Sequence, residues 1–168
     1  MNPNLQFDFL IDKENNTLTL RREFAANRQL VWVCHTKSEL LDRWFAPKPF
    51  TTRTHHMDFS KGGYWHYAMI DPEKKEYWGR MDYVKINAID GYTSLDAFSD
   101  ESGEVNPALP RGNWDTTFHD LGKNTLVQTV VSYNSFSELE TVLQMGMQEG
   151  LTSTLDRLDE LIFTLLNN

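Results

Sequence analysis

The chain has no hydrophobic run long enough to span a bilayer. Its longest apolar stretches are a few residues, against the roughly 20 that a membrane helix needs. It has one cysteine, Cys34, so no intramolecular disulfide framework can hold the fold. That residue ends the apolar stretch VWVC and is expected to be a buried small hydrophobe rather than a reactive thiol. There is no Lys/Arg cluster: 16 basic residues against 24 acidic ones leave a formal charge of −8. Binding to nucleic acid draws on a basic surface that releases counterions, so a nucleic-acid partner is not expected. Anionic membrane surfaces are disfavoured for the same reason. The opening MNPNLQFDFLIDKENN has no basic region followed by an apolar one, so no secretion leader is expected and the expected location is cytoplasmic. H-E-x-x-H, cysteine-containing metal patterns, G-x-S-x-G, G-x-G-x-x-G and the P-loop are all missing. The expectation is no metal and no cofactor.

What is present fits one globular domain over residues 1–168, with a hairpin extension at about 1–16. LQFDFLI and TLTLRREF alternate on either side of Asn15-Asn16, a pair tolerated at positive φ, which predicts a β-hairpin. A helix follows, its buried stripe supplied by Leu30, Val31 and Cys34 with Trp32 beside them. A second short helix, ELLDRWF, is expected to be capped by Ser38 and to stop before Pro47. FTTRTHHMDF, YWHYAMI, EYWGRMDYVKI, YTSLDAF, NWDTTFHDL and NTLVQTVVSY then read as strands joined by short turns, an antiparallel meander. The segment GEVNPALPRG is the most loop-like. Ser135 with Glu138, or Ser137 with Glu140, can cap a long C-terminal helix. Its stripe runs through Leu143, Met147, Leu151, Leu155, Leu158 and Ile162, with Gly146 and Gly150 on a neighbouring face. A twisted antiparallel sheet has one apolar face to cover, and this helix is expected to lie across it.

In order and spacing these segments resemble the SRPBCC (START-like, helix-grip) superfamily. Within it they are most similar to proteins related to the C-terminal domain of the activator of heat-shock protein 90 ATPase. The resemblance rests on RREFAANRQLVWVCHT, SELLDRWFAP, the double-glycine hairpin and aromatic strand of MDFSKGGYWHYAM, Gly79 within EYWGRMDYVKI, and EGLTSTLDRLDELI. It implies an α+β helix-grip fold: an antiparallel sheet of about six to seven strands wrapped around a long C-terminal helix, with two short helices after the first strand. Leu151 stands where the family usually has a tryptophan, and Tyr83 where a carboxylate is often found. A relative's ligand preference therefore does not carry over.

Period-two alternation puts Trp65, Tyr67 and Met69 on one face of their strand and Tyr64, His66, Ala68 and Ile70 on the other. The first set, lacking the histidine, is the expected inward face. Met81 and Tyr83 continue it on the next strand, Phe118 and Thr129 on later ones, and Trp44, Met147, Leu151 and Leu155 approach from the helices. These eleven are the expected ligand-binding residues. Rings, flexible methionines and hydroxyls together suit a small-molecule pocket, and Gly79 and Gly150 are expected to remove bulk from its walls. A dry, empty cavity of about 300 Å³ would cost about 7 kcal/mol. Domain stability is only about 5–15 kcal/mol, so the cavity should be small, watered or occupied. His55 and His56 are adjacent on a predicted strand, so their rings are expected on opposite faces. Asp58, Asp82, Asp115 and Asp120, with His66 or His119, are the candidates for an acid–base pair, most of them expected at solvated edges. The expected function is noncatalytic binding of a small hydrophobic or amphipathic molecule by a monomer or homodimer. Regulation of a chaperone ATPase, or a cyclase- or hydrolase-type activity on an aromatic or polyketide-like substrate, are the alternatives that the resemblance implies.

Overall fold

The computed structural model describes residues 2–168. The chain runs β1 (Phe7–Asp12), β2 (Thr17–Phe24), α1 (Arg28–Thr36), α2 (Ser38–Leu41), β3 (Thr51–Met57), β4 (Tyr64–Ile70), β5 (Glu76–Asn87), β6 (Gly91–Phe98), β7 (Asn113–Asp120), β8 (Thr125–Ser132), α3 (Phe136–Gln144) and α4 (Met147–Leu166). All eight strands form one antiparallel sheet in the order β1-β2-β8-β7-β6-β5-β4-β3. The count exceeds the expected six to seven because the N-terminal hairpin is part of the sheet. β1 pairs with β2 from Phe7 opposite Arg22 to Asp12 opposite Thr17, and β2 then pairs with β8. The helices therefore follow the second strand, not the first. The hairpin turns where expected: Asn16 has φ 56°, and Asn15 donates to the Asp12 carboxylate from its backbone and its side chain.

One core joins the helices to the inner face of the sheet. Val31, Trp32 and Cys34 of α1, Leu41 of α2 and Leu155, Leu158, Leu161 and Ile162 of α4 meet Leu20, Phe24, Trp65, Tyr67, Met81 and Phe118 from the strands. Asn27 starts α1 by accepting a hydrogen bond from the Leu30 N–H at 2.9 Å. Cys34 is fully buried, and burial pushes its thiol up to about 11. Two helices differ from expectation. α2 ends at Leu41, and residues 42–46 tighten into turns in which Arg43 and Trp44 donate to carbonyls three residues back. The Trp44 indole N–H then ties this turn to the Cys34 carbonyl at 2.9 Å. The C-terminal helix is two pieces. α3 is capped by Ser135, whose hydroxyl accepts from the Glu138 N–H, and it stops where Gly146 takes φ 88°. The apolar stripe continues on both sides of that residue, so periodicity alone reads straight through the break.

Candidate functional site

Two cavities lie between the sheet and the helices. The larger, about 330 Å³, is framed by β4, β5, β6, α3 and α4, and its rim carries the exposed side chains of Tyr77, Phe98 and Met145. The smaller, about 60 Å³, lies deeper, under α1 and α2. That is room for one or two waters. Phe45, Met81, Trp114, Leu151 and Thr154 line both, so they form the partition.

Ten of the eleven expected residues reach a cavity wall. Tyr67, Met69 and Met147 line the larger cavity. Trp44, Trp65, Tyr83, Thr129 and Leu155 line the smaller, and Met81 and Leu151 line both. Phe118 reaches neither, because its ring is held edge-on by Trp32 at 5.1 Å and by His35 at 5.1 Å. β4 shows how the wall is built. Trp65 and Tyr67 stack with centroids 4.1 Å apart, and Phe45 meets each ring edge-on. The Trp65 indole N–H donates to Thr54 Oγ1 at 3.0 Å, and Thr54 Oγ1 donates to Asp42 Oδ1 at 2.6 Å. The two glycines expected to open the walls do different jobs. A Cβ at Gly150 would meet nothing within 4 Å, so that position is open. A Cβ at Gly79 would lie 2.6 Å from Tyr67 Cζ and from its hydroxyl oxygen, so the ring of Tyr67 fills that space. Gly79→Ala is expected to displace Tyr67 and destabilise the protein by about 1–3 kcal/mol, read as a lower urea midpoint.

The outer face of β3, β4 and β5 differs from expectation. A bulge between Thr54 and His56 shifts the register, so His55 and His56 do not point to opposite faces. His55 lies 5.2 Å from the His66 ring, while His56 is paired across the strands with His66 and lies 4.5 Å from Tyr64. Among the described residues, no three His, Cys, Asp or Glu side chains gather in a way that could hold a metal ion. His66 is outward as expected, yet buried: it lies 4.7 Å from Trp78 and bonds the Asp100 carbonyl through Nε2 at 3.0 Å. The loop from residue 99 to 112 thus runs along this outer face, where the Gly103 carbonyl also accepts from Arg80 Nη1.

Of the expected acid–base candidates, Asp58, Asp82, Asp115, Asp120, His66 and His119 line neither cavity. Asp82 is on the outer face, held by Arg80 and Arg111 at 2.8 Å and 2.6 Å, and their hydrogen bonds bring its carboxyl below the usual range against the opposing effect of burial. The carboxylate in the larger cavity is Asp96. It sits opposite Met81 in the β5–β6 register and therefore faces inward. Burial pushes its carboxyl up to about 6, against weaker opposing effects of the Gly112 N–H, the Trp114 indole and the Arg111 charge. Trp114 Nε1 itself closes no hydrogen bond. Burial, and next the Asp96 charge, raise the pKa values of Tyr67 and Tyr133, which line the same cavity. The smaller cavity has its own titratable group in His35. Burial pulls that imidazole down to about 4, so it is neutral at pH 7, with Nδ1 on the Val31 carbonyl at 2.8 Å. Asp96, Tyr133 and His35 were missed as cavity-lining residues. For Asp96 the available signal was the parity of its position on β6, which polarity masked, whereas Tyr133 lies one residue past β8.

Solved structures share this architecture. A crystal structure of protein Ms6760 from Mycobacterium smegmatis is 28% identical with a TM-score of 0.85, covering 94% of this chain and 96% of that one. A solution structure of a Staphylococcus epidermidis protein is 26% identical at TM-score 0.81, covering 92% and 93%. Protein NE0264 from Nitrosomonas europaea is 26% identical at TM-score 0.77, covering 94% and 100%. Among curated proteins, none matches this chain. Residues 25–162 match the family model described as Activator of Hsp90 ATPase homolog 1-like protein, and the chain therefore belongs to that family.

Proposed function

We propose that this protein binds a small amphipathic molecule in the larger cavity, without catalysing its conversion. The observation that carries the reading is an open cleft of about 330 Å³ walled mainly by rings and methionines, with a position on α4, Gly150, left without a side chain. Flexible thioethers adapt to varied apolar shapes, and a few convergent polar groups then orient the ligand. A cleft open to water also avoids the penalty of a large dry void. Tyr67, Met69, Met81, Met147 and Leu151 would contact the ligand directly. Trp65 and Tyr83 support that wall from the smaller cavity.

Gly150 separates this reading from one in which the cleft is only imperfect packing. Gly150→Ala removes a helix-weakening glycine at an unobstructed site and is expected to raise stability by about 0.5–1 kcal/mol. Gly150→Phe puts a ring into the cleft and is expected to abolish ligand-induced thermal stabilisation while the protein stays folded. The measurement is a thermal-shift screen of amphipathic aromatic and aliphatic compounds on the native protein and both variants. A hit that stabilises the native protein and Gly150→Phe equally would mean binding elsewhere. No hit at all would remove the proposal.

A further inference from the structure

The cleft is mostly apolar, and Asp96, Tyr67 and Tyr133 are among the few polar side chains on its wall. Asp96 contributes a carboxylate, and Tyr67 and Tyr133 each contribute a phenol hydroxyl. Gly112 meets two of them. Its N–H donates to Asp96 Oδ1, and a Cβ there would lie 3.1 Å from Trp114 Nε1, 3.1 Å from Tyr133 Cζ and 2.8 Å from Val131 Cγ1. Any larger residue would push the indole and the phenol away.

Arg111 makes no hydrogen bond to this carboxylate, and its charge acts on it only weakly. Arg111 spends its guanidinium on the outer face, with Nη2 on Asp82 Oδ2 at 2.6 Å and Nε on the backbone carbonyl of Asp96 at 2.8 Å. Among the described residues, the Gly112 N–H closes a hydrogen bond to the Asp96 side chain at Oδ1, and the Trp114 indole N–H, which closes none, lies near enough to lower the pKa of its carboxyl. Asp96 Oδ2 has no hydrogen-bond partner among the described residues. Tyr67 makes no side-chain hydrogen bond among the described residues, and the Tyr133 hydroxyl has only a 3.9 Å contact with the Met147 sulfur. A partly buried carboxylate with no cation bonded to it is incompletely satisfied, and the group that satisfies it best is a positive one with several donors. An ammonium has three N–H donors, and Asp96, Tyr67 and Tyr133 offer oxygens on the same cavity wall that can accept them.

Building on the binding function above, we propose that the ligand is an amphipathic amine whose ammonium group sits on Asp96 Oδ2 and the Tyr67 and Tyr133 hydroxyl oxygens, its apolar body lying along Met69, Met81 and Leu151. A neutral hydroxyl offers one donor and no charge, and a carboxylate would meet a like charge. Binding therefore follows the order amine, alcohol, acid. As a carboxyl held at about 6, Asp96 becomes protonated in mild acid, where a primary amine keeps its proton.

Three probes with one ring system test this: naphthalen-2-ylmethylamine, naphthalen-2-ylmethanol and naphthalene-2-carboxylate, titrated calorimetrically at physiological salt. The native protein is expected to bind the amine about tenfold or more tightly than the carboxylate, with the alcohol between. Asp96→Asn keeps the side-chain size and is expected to erase the amine's advantage while changing alcohol affinity less than about twofold. Lowering the pH to about 5 should weaken amine binding to the native protein about tenfold, and should leave Asp96→Asn unaffected. Carboxylate binding as tight as the amine, or an amine preference that survives Asp96→Asn, overturns the proposal. If the alcohol binds and Gly150→Phe blocks it while the amine has no advantage, the cleft still binds ligands and only the ammonium assignment falls. Amine binding that persists in Gly150→Phe shows attachment to the acidic surface and overturns it too. If none of the three binds, the assignment and the binding function fall together.

Discussion

Trp65→Ala is expected to destabilise the protein by about 3–5 kcal/mol. For a chain of this size that is a fall in Tm of about 6–20 °C. Trp65 is 1% exposed and is the largest fully buried side chain. Its removal leaves a cavity between the Tyr67 ring, stacked at 4.1 Å, and the Phe45 ring, edge-on at 4.7 Å. It also takes the indole donor from Thr54, the residue that bridges β4 to Asp42 at the end of α2. Trp65→Phe separates these contributions. It keeps most of the ring volume, and Thr54 still donates to Asp42, so a loss of about 1–2 kcal/mol is expected. Urea unfolding of the three proteins measures both steps. A loss below about 1.5 kcal/mol for the alanine variant would mean that the wall collapses to fill the gap.

The second large effect is a pair of opposing pH dependences. Asp96 is raised from 3.8 to about 6 by burial, so the folded state holds its proton more tightly than the unfolded state. Its contribution to stability is fully present below about pH 4 and is lost as the pH rises through about 6. His35 is lowered from 6.5 to about 4, again by burial. Its contribution is present above about pH 6.5 and is lost as the pH falls through about 4. At 1.36 kcal/mol per pH unit each amounts to about 3 kcal/mol. Over the window from about pH 4 to 6.5 they have opposite slopes and largely cancel in the native protein. Single substitutions expose them. Relative to the native protein, Asp96→Asn should lose about 3 kcal/mol on going from about pH 7 to 4, and His35→Gln should gain a similar amount. Differences between variants remove the titration of every other carboxyl. Denaturation curves that stay parallel across this window would show that neither burial acts as described.

The fold was legible because strand periodicity and turn chemistry agree along this chain. Trp65, Tyr67 and Met69 share the inward parity of β4, and the structure places all three on cavity walls. Asn16 and Gly62 take the positive φ that hairpins here demand. Gly63 does not. It is needed because a Cβ would strike the Asp58 backbone, a tertiary contact absent from local sequence. The polar part of the cleft was hidden for a different reason. In YTSLDAF, apolarity puts Leu95 and Ala97 inward, but the register with β5 turns Asp96 inward and leaves Leu95 paired with outward-facing Asp82. Hydrophobic alternation cannot identify an inward carboxylate, because such a residue breaks the pattern it would be found by. His55 and His56 were misplaced by a single bulge, which reverses parity over one residue.

The left-handed residue between α3 and α4 separates two tasks that a continuous helix would fuse. α4 carries the depth of the cleft, Leu151 and Thr154, and is fixed by the core through Leu158 and Ile162. α3 and the junction carry another part of its wall, the buried Val142 and the exposed Met145. Because Gly146 takes φ 88°, α3 and α4 are separate rods, each fixed by its own buried residues: Leu139 and Val142 on α3, Leu158 and Ile162 on α4. Substitutions at Val142 and Met145 can therefore alter one part of the cleft wall while Leu151 and Thr154 keep theirs.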